Sequence, residues 1–158
     1  MTKPLLREVG IVNVAFGNNV TVVQPANIYG CTVGDDVFVG PFVEIQKGVT
    51  IGARTRVQSH SFICELVTIG EDCFVGHGVM FTNDVFAKGG PARGDVTLWR
   101  STTIGNRVSI GSNVTILPVD ICDDVVIGAG AVVTKNIEKA GIYAGIPAVF
   151  IRPVGSDE

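Results

Sequence analysis

Residues 33–81 read VGDDVFVGPFVEIQKGVTIGARTRVQSHSFICELVTIGEDCFVGHGVMF. Every sixth residue is large and apolar: Val33, Val39, Ile45, Ile51, Val57, Ile63, Ile69, Val75 and Phe81. Four positions after each of the first eight stands a small or β-branched residue: Val37, Val43, Val49, Thr55, Ser61, Val67, Cys73 and Val79. Glycine follows directly at Gly34, Gly40, Gly52, Gly70 and Gly76. A period of six fits neither a helix at 3.6 nor a simple strand at 2. It predicts an all-β fold, a parallel β-helix in which each six-residue unit is one flat face plus a corner. Three faces make a coil, so the chain returns above itself after eighteen residues, displaced by about 4.8 Å. A β-sandwich would instead give alternation at period two and turn signals every ~8–12 residues. The unbroken run of period-six matches argues against it.

Sorting the units by eighteen separates three faces. The first carries Val33, Ile51 and Ile69, the second Val39, Val57 and Val75, the third Ile45, Ile63 and Phe81. The corner after the first face is Gly34, Gly52, Gly70; the corner after the third is Gln46, Cys64, Thr82, without glycine. One position further stand Lys47, Glu65 and Asn83. That edge is expected to carry functional side chains, although a merely solvated corner would also suit Lys47 and Glu65.

Composition bounds the rest. The chain has 158 residues, net charge −3 and 46% hydrophobic content, ample for a solenoid core in one domain spanning 1–158. The mild acidity disfavours a nucleic-acid partner, which wants a basic stripe. No apolar run long enough for a membrane span and no secretory leader are visible, so a cytoplasmic location is expected. The four cysteines, Cys31, Cys64, Cys73 and Cys122, form no CxxC pair and no zinc spacing, and no metal is expected.

Along the chain, residues 1–15 read as a mixed lead-in, and Val20, Val22 and Ile28 as an irregular first coil. After Asn83 the period stops. Residues 84–101, DVFAKGGPARGDVTLWRS, form an expected excursion loop holding Arg93 and Trp99. A loop of that length within a solenoid is usually functional. The period resumes at Ile104, Ile110 and Ile116, slips by one residue to Ile121 near Pro118, and continues at Ile127 and Val133. The chain is then expected to leave the prism at 136–140, with a C-terminal tail over 136–158 covering the end.

These hexads, the excursion after MFTND and the closing VIGAGAVVTKNI…AGIPAVFI resemble the hexapeptide-repeat acyltransferases. The resemblance implies a left-handed helix, a homotrimer and acetyl-CoA as co-substrate. The block HSFICELVTIGEDCFVGHGVMFTND is most similar to nucleotide-sugar N-acetyltransferases, which acetylate dTDP- or UDP-linked amino-deoxy sugars for surface polysaccharides. In such trimers acyl-CoA lies between neighbouring prisms. Ser112 matches the family's Gly-Ser position and Ala129 its Gly-Ala-Gly position, both on one corner by face count. Thr134 and Lys135 match the VTK element, and Arg152 the basic residue after Pro-Ala. Lys135 and Arg152 suit phosphate as a point charge and a fork. Asn83 matches the asparagine near the reacting amine.

Amide formation from a thioester needs a neutral amine near the thioester carbon and a stabilised oxyanion. A sugar amine that titrates like an α-amino group, at about 7.7–8.0, needs little help from a base. A hydroxyl acceptor would need a strong base, usually histidine. Asp84 is a candidate to bind the amine or to cap the loop; Glu65 to meet the amine or Lys47. His60 and His77, the two histidines, fall two or three positions past Val57 and Val75, at the corner of Ser112 and Ala129. They are candidate proton carriers, and Arg93 and Trp99 candidate substrate contacts. A sugar O-acetyltransferase of the same fold and a non-catalytic scaffold remain open as alternatives. The hexapeptide carbonic anhydrases need three histidine ligands, and this chain has two histidines.

Overall fold

The computed structural model describes residues 3–6 and 8–155. The extremities of the domain expected over 1–158, residues 1–2 and 156–158, lie outside the described residues, as does residue 7. The chain forms a left-handed parallel β-helix of about seven turns. The third face is a seven-stranded parallel sheet and the first face a six-stranded one; the second is an eight-stranded sheet, parallel except for its last strand. Register follows the sequence period: Val33 lies beside Ile51, Val39 beside Val57 and Ile45 beside Ile63.

The burial pattern explains the residue types. Most two-residue strands present one residue outward and one inward, as in Thr50–Ile51 and Arg56–Val57. The inward aliphatics Val39, Ile45, Val57, Ile63 and Val75 are fully buried. Each contributes on the order of 1.5–3 kcal/mol relative to exposure. Two of the inward polar residues are satisfied by neighbouring turns: Thr55 Oγ1 donates to the Gly70 carbonyl at 2.9 Å, and Ser61 Oγ to that of Gly76 at 2.8 Å. Corner glycines permit the close stacking; a Cβ on Gly52 would stand 2.5 Å from the Gly70 carbonyl oxygen.

Two boundaries differ from expectation. The solenoid starts inside the lead-in, with strands Ile11–Val12 and Ala15–Phe16 pairing with Asn27–Tyr29 and Thr32–Val33. The short, polar-interrupted hydrophobic pairs there hide the period. At the other end, Ile137 does not leave the prism. It is buried and bridges to Ile121 on the first face, its N–H donating to the Asp120 carbonyl at 2.9 Å. Then Gly141–Ala144 extends the second face, and Val149–Arg152 folds back antiparallel upon it. This hairpin ends the second sheet. The slip at Pro118 holds: Asp120–Ile121 pairs with Thr103–Ile104 on the first face.

Candidate functional site

The excursion leaves the prism at the corner after the third face. Its neck is closed by an antiparallel bridge between Asp84 and Trp99 and by the Arg100 N–H donating to the Asn83 carbonyl at 2.9 Å. Asp84 caps the loop: its carboxylate accepts from the Phe86 N–H at 2.9 Å and the Ala92 N–H at 2.6 Å. Further out, Asp95 caps a single 3₁₀ turn, Val96–Leu98. Both Asp84 oxygens are thus committed to backbone, which fits the capping role rather than the amine contact.

Under this neck lies a cleft of about 410 Å³, bordered by Phe62, Glu65, Thr82, Asn83, Phe86 and Trp99 among others. Asn83 Nδ2 donates to the Glu65 carbonyl at 3.2 Å. Only the amide nitrogen can donate to a carbonyl, so this contact fixes the carboxamide and leaves Oδ1 as an acceptor. Glu65 meets Lys47 Nζ at 3.6 Å, and its backbone N–H donates to Gln46 Oε1. Gln46 in turn donates to Glu44 at 3.0 Å. Tyr29 is held above its ordinary value, first by burial and then by Glu44 and Glu65. Cys64 also borders the cleft. Burial pushes its thiol up to about 11, so it stays protonated near neutral pH and is no nucleophile. The cleft therefore combines aromatic walls, one fixed carboxamide and a carboxylate side.

The histidines lie on a different edge, the corner after the second face. Register puts Val57, Val75, Ile110 and Ile127 in one column. Two positions past each come Ser59, His77, Ser112 and Ala129; three past come His60, Gly78, Asn113 and Gly130. His60 and His77 are thus offset by one position and do not stack on each other. His60 stacks on Phe42, ring centroids 4.9 Å apart. His77 Nδ1 lies 2.9 Å from Ser59 Oγ. Exposed Phe74 and Met80 flank this edge on the second and third faces.

The expected cofactor residues divide between edges. Ser112 and Ala129 share the histidine edge. Thr134 and Lys135 follow Val133, which lies in register with Ile116 and Phe81, so Lys135 stands on the Lys47–Glu65–Asn83 edge. Arg152 ends the fold-back strand opposite Ile142. Arg93 is exposed on the loop and does not border the cleft. The structure thus gathers Asn83, Asp84, Glu65, Lys47 and Trp99 at one edge and His60, His77, Ser112 and Ala129 at another. Phe42, Phe62, Phe86 and Ser59 are not among the residues the sequence singles out, and Gln46 appears there only as a corner residue. For Ser59 the signal was present: it precedes His77 by eighteen residues. Among the described residues no three His, Cys, Asp or Glu side chains converge to hold a metal.

Two family models match the chain, "Bacterial transferase hexapeptide (six repeats)" over residues 30–65 and "Hexapeptide repeat of succinyl-transferase" over 101–135. A probable macrolide acetyltransferase of Lysinibacillus sphaericus is 35% identical over 80% of this chain and 64% of its own length. The galactoside O-acetyltransferase of Escherichia coli is 34% identical over 78% of this chain and 64% of its own. Among solved structures, a mutant perosamine N-acetyltransferase from Caulobacter crescentus, in complex with CoA and GDP-perosamine, superposes with a TM-score of 0.65 at 20% identity. It is matched over 84% of this chain and 53% of that one. The chain spans 64% of the length of each of these two curated relatives and 21% of that of a bifunctional GlmU protein of Neisseria meningitidis.

Proposed function

This chain belongs to the hexapeptide-repeat family of left-handed β-helix transferases, and on that premise we propose that it transfers an acetyl group from acetyl-CoA to the amino group of a nucleotide-linked amino sugar. The observation that carries the reading is Asn83 in the cleft. Its Nδ2 is committed to the Glu65 carbonyl, so Oδ1 is the acceptor offered to a substrate. An amine keeps an N–H to donate there while its lone pair attacks the thioester; a hydroxyl must surrender its single hydrogen to a base. Glu65 adds negative charge beside that position, and Trp99 and Phe86 supply walls for the sugar.

In this reading two copies build each reaction centre within a homotrimer. The histidine edge of one copy, with its flanking aromatics, faces the cleft edge of the next, so that His77 approaches Asn83. Ser112 and Ala129 then line the pantetheine arm, while Thr134, Lys135 and Arg152 serve the phosphate end. The offset of the histidines separates their roles: His77, held by Ser59, is the proton carrier, and His60, stacked on Phe42, is wall. Among the described residues no helix is long and apolar enough to cross a membrane. Work in the cytoplasm and in surface-polysaccharide synthesis belongs to the same proposal.

The Ser59–His77 pair also favours a second reading, O-acetylation of a sugar hydroxyl, which would need that histidine as a strong base. Incubation with acetyl-CoA and a panel of dTDP- and UDP-linked 3- and 4-amino sugars, beside their hydroxyl counterparts, separates the two. Thiol release with the amino sugars alone is the expected result. Release with the hydroxyl sugars alone would replace the first reading by the second.

A further inference from the structure

We propose that Ser59 is a positioning residue for His77 and holds the imidazole in the tautomer protonated on Nδ1. The proposal rests on the acetyl-transfer reading, since there the tautomer of His77 bears on a reaction. The solenoid makes the pair neighbours in space although eighteen residues separate them. Val57 and Val75 are in register on the second face, and each corner residue is counted from them. The corner is locked on both sides of His77. The Gly78 N–H donates to the Ser59 carbonyl at 3.0 Å, and the Asn113 N–H donates to the His77 carbonyl at 2.8 Å. The backbone of His77 is therefore fixed from the rung below and the rung above, and its ring is fixed by the 2.9 Å contact between Nδ1 and Ser59 Oγ. The His60 ring lies instead against Phe42.

A serine hydroxyl both donates and accepts, so it can satisfy either tautomer of the ring. The tautomer is set by the hydrogen bond the other nitrogen makes. If Nδ1–H donates to Ser59 Oγ, the Nε2 lone pair is free. That is the form the reaction needs. The acceptor nitrogen attacks the thioester carbon, a C–N bond forms, and collapse of the tetrahedral intermediate breaks the C–S bond. Nitrogen must lose one proton and the departing CoA thiolate must gain one. Nε2 takes the first and returns the second, and His77 ends neutral as it began. The opposite tautomer would present Nε2–H and could not accept the proton.

The test reads the ring nitrogens directly by ¹⁵N NMR. With two histidines in the chain, loss of one ring signal set in His60→Asn assigns the other to His77. The spectra are recorded at about pH 8.5, two units above the ordinary histidine value. Native His77 is expected to be mainly Nδ1–H. Ser59→Ala should move it to Nε2–H, the form free imidazole prefers, and Ser59→Thr, which keeps a hydroxyl, should retain the native form. In parallel, Ser59→Ala should lower kcat about tenfold at unchanged KM for acetyl-CoA, with Ser59→Thr restoring most of it. A His77 tautomer indifferent to Ser59→Ala overturns the positioning role. A tautomer that changes without any change in turnover overturns the proton-carrier role of His77 instead, while Asn83 and the amine reading stand or fall on the substrate panel.

Discussion

Two corners of the same prism are built alike and have opposite chemistry. The corner after the first face opens on Gly34, Gly52, Gly70 and Gly105; the corner after the second opens on Gly40, Gly76, Gly111 and Gly128. The first is then closed by ions. Arg54 bonds Asp72 at 2.7 Å and Glu71 at 2.5 Å, Arg107 bonds Asp124 at 2.7 Å and Asp123 at 3.2 Å, and Asn18 and Asn106 fill the gaps on Asp35 and Asp123. The second corner carries Pro41, Phe42, Ser59, His60, His77, Ser112 and Ala129 in the equivalent places, and among the described residues none of these makes an ion pair. An edge whose charges pair from rung to rung has satisfied itself. An edge of aromatic, hydroxyl and imidazole groups has hydrogen-bonding and apolar capacity left for a ligand or a second copy. The coil geometry allows both, so function is written in the corner residues and not in the coil.

The sharpest way to break this contrast is to remove chemistry from the working edges. Asn83→Ala should lower turnover by roughly 10²–10³, the loss expected for one well-placed polar contact at the reacting centre. A steady-state assay of thiol release measures it, and a mutant at native rate would remove the cleft from the mechanism. On the second corner, His77→Asn should cost on the order of 10² in kcat, the low end for a proton carrier. His60→Asn should cost less than about tenfold, since its ring is packed against Phe42. Equal losses would erase the distinction drawn between the offset histidines.

Cofactor binding gives a smaller effect. Lys135→Ala and Arg152→Ala should each raise KM for acetyl-CoA roughly tenfold with kcat nearly intact, because contacts to remote phosphates bind ground and transition states alike. Lost turnover at unchanged KM would put the phosphates elsewhere.

The ionic corner should show the mildest behaviour, and in stability rather than rate. The Arg54 guanidinium holds Asp72 below the usual carboxylate range, and Arg107 does the same for Asp124. A folded-state value below the unfolded one adds stability above the unfolded carboxyl value, and this is lost as pH falls through the folded value. Arg107→Ala should therefore lower the unfolding temperature at neutral pH, while mutant and native converge in strong acid, with activity unchanged at every pH. The difference should be small, because the pairs are exposed and solvent screens them. Thermal unfolding followed across pH checks it; a gap that widens in acid would contradict the pairing.

Much of the architecture was legible because burial in a narrow prism is periodic. Val33 through Phe81 gave the faces, and the sorting by eighteen placed Lys47, Glu65 and Asn83 on one edge. Ile11–Phe16 escaped because the first coil has bulk solvent on one side, so its apolar pairs are half-exposed and lack the strict period. Ile137 escaped because one buried residue carries no period of its own. The cofactor residues were matched by motif, which does not tell from which corner each one leaves. Val133 sits on the third face and Ile127 on the second, so Lys135 and Ala129 leave from different corners.

The sequence by itself determined the coil, because a six-residue alternation of large and small inward residues has one economical packing. It also determined where the coil is interrupted, because the residues after Asn83 cannot continue that alternation. Tertiary structure alone decided which side chains meet. The eighteen-residue return brings Ser59 within 2.9 Å of His77 and commits one end of Asn83 to the Glu65 carbonyl. Those contacts run between rungs, and a one-residue offset, such as that between His60 and His77, changes the partner entirely.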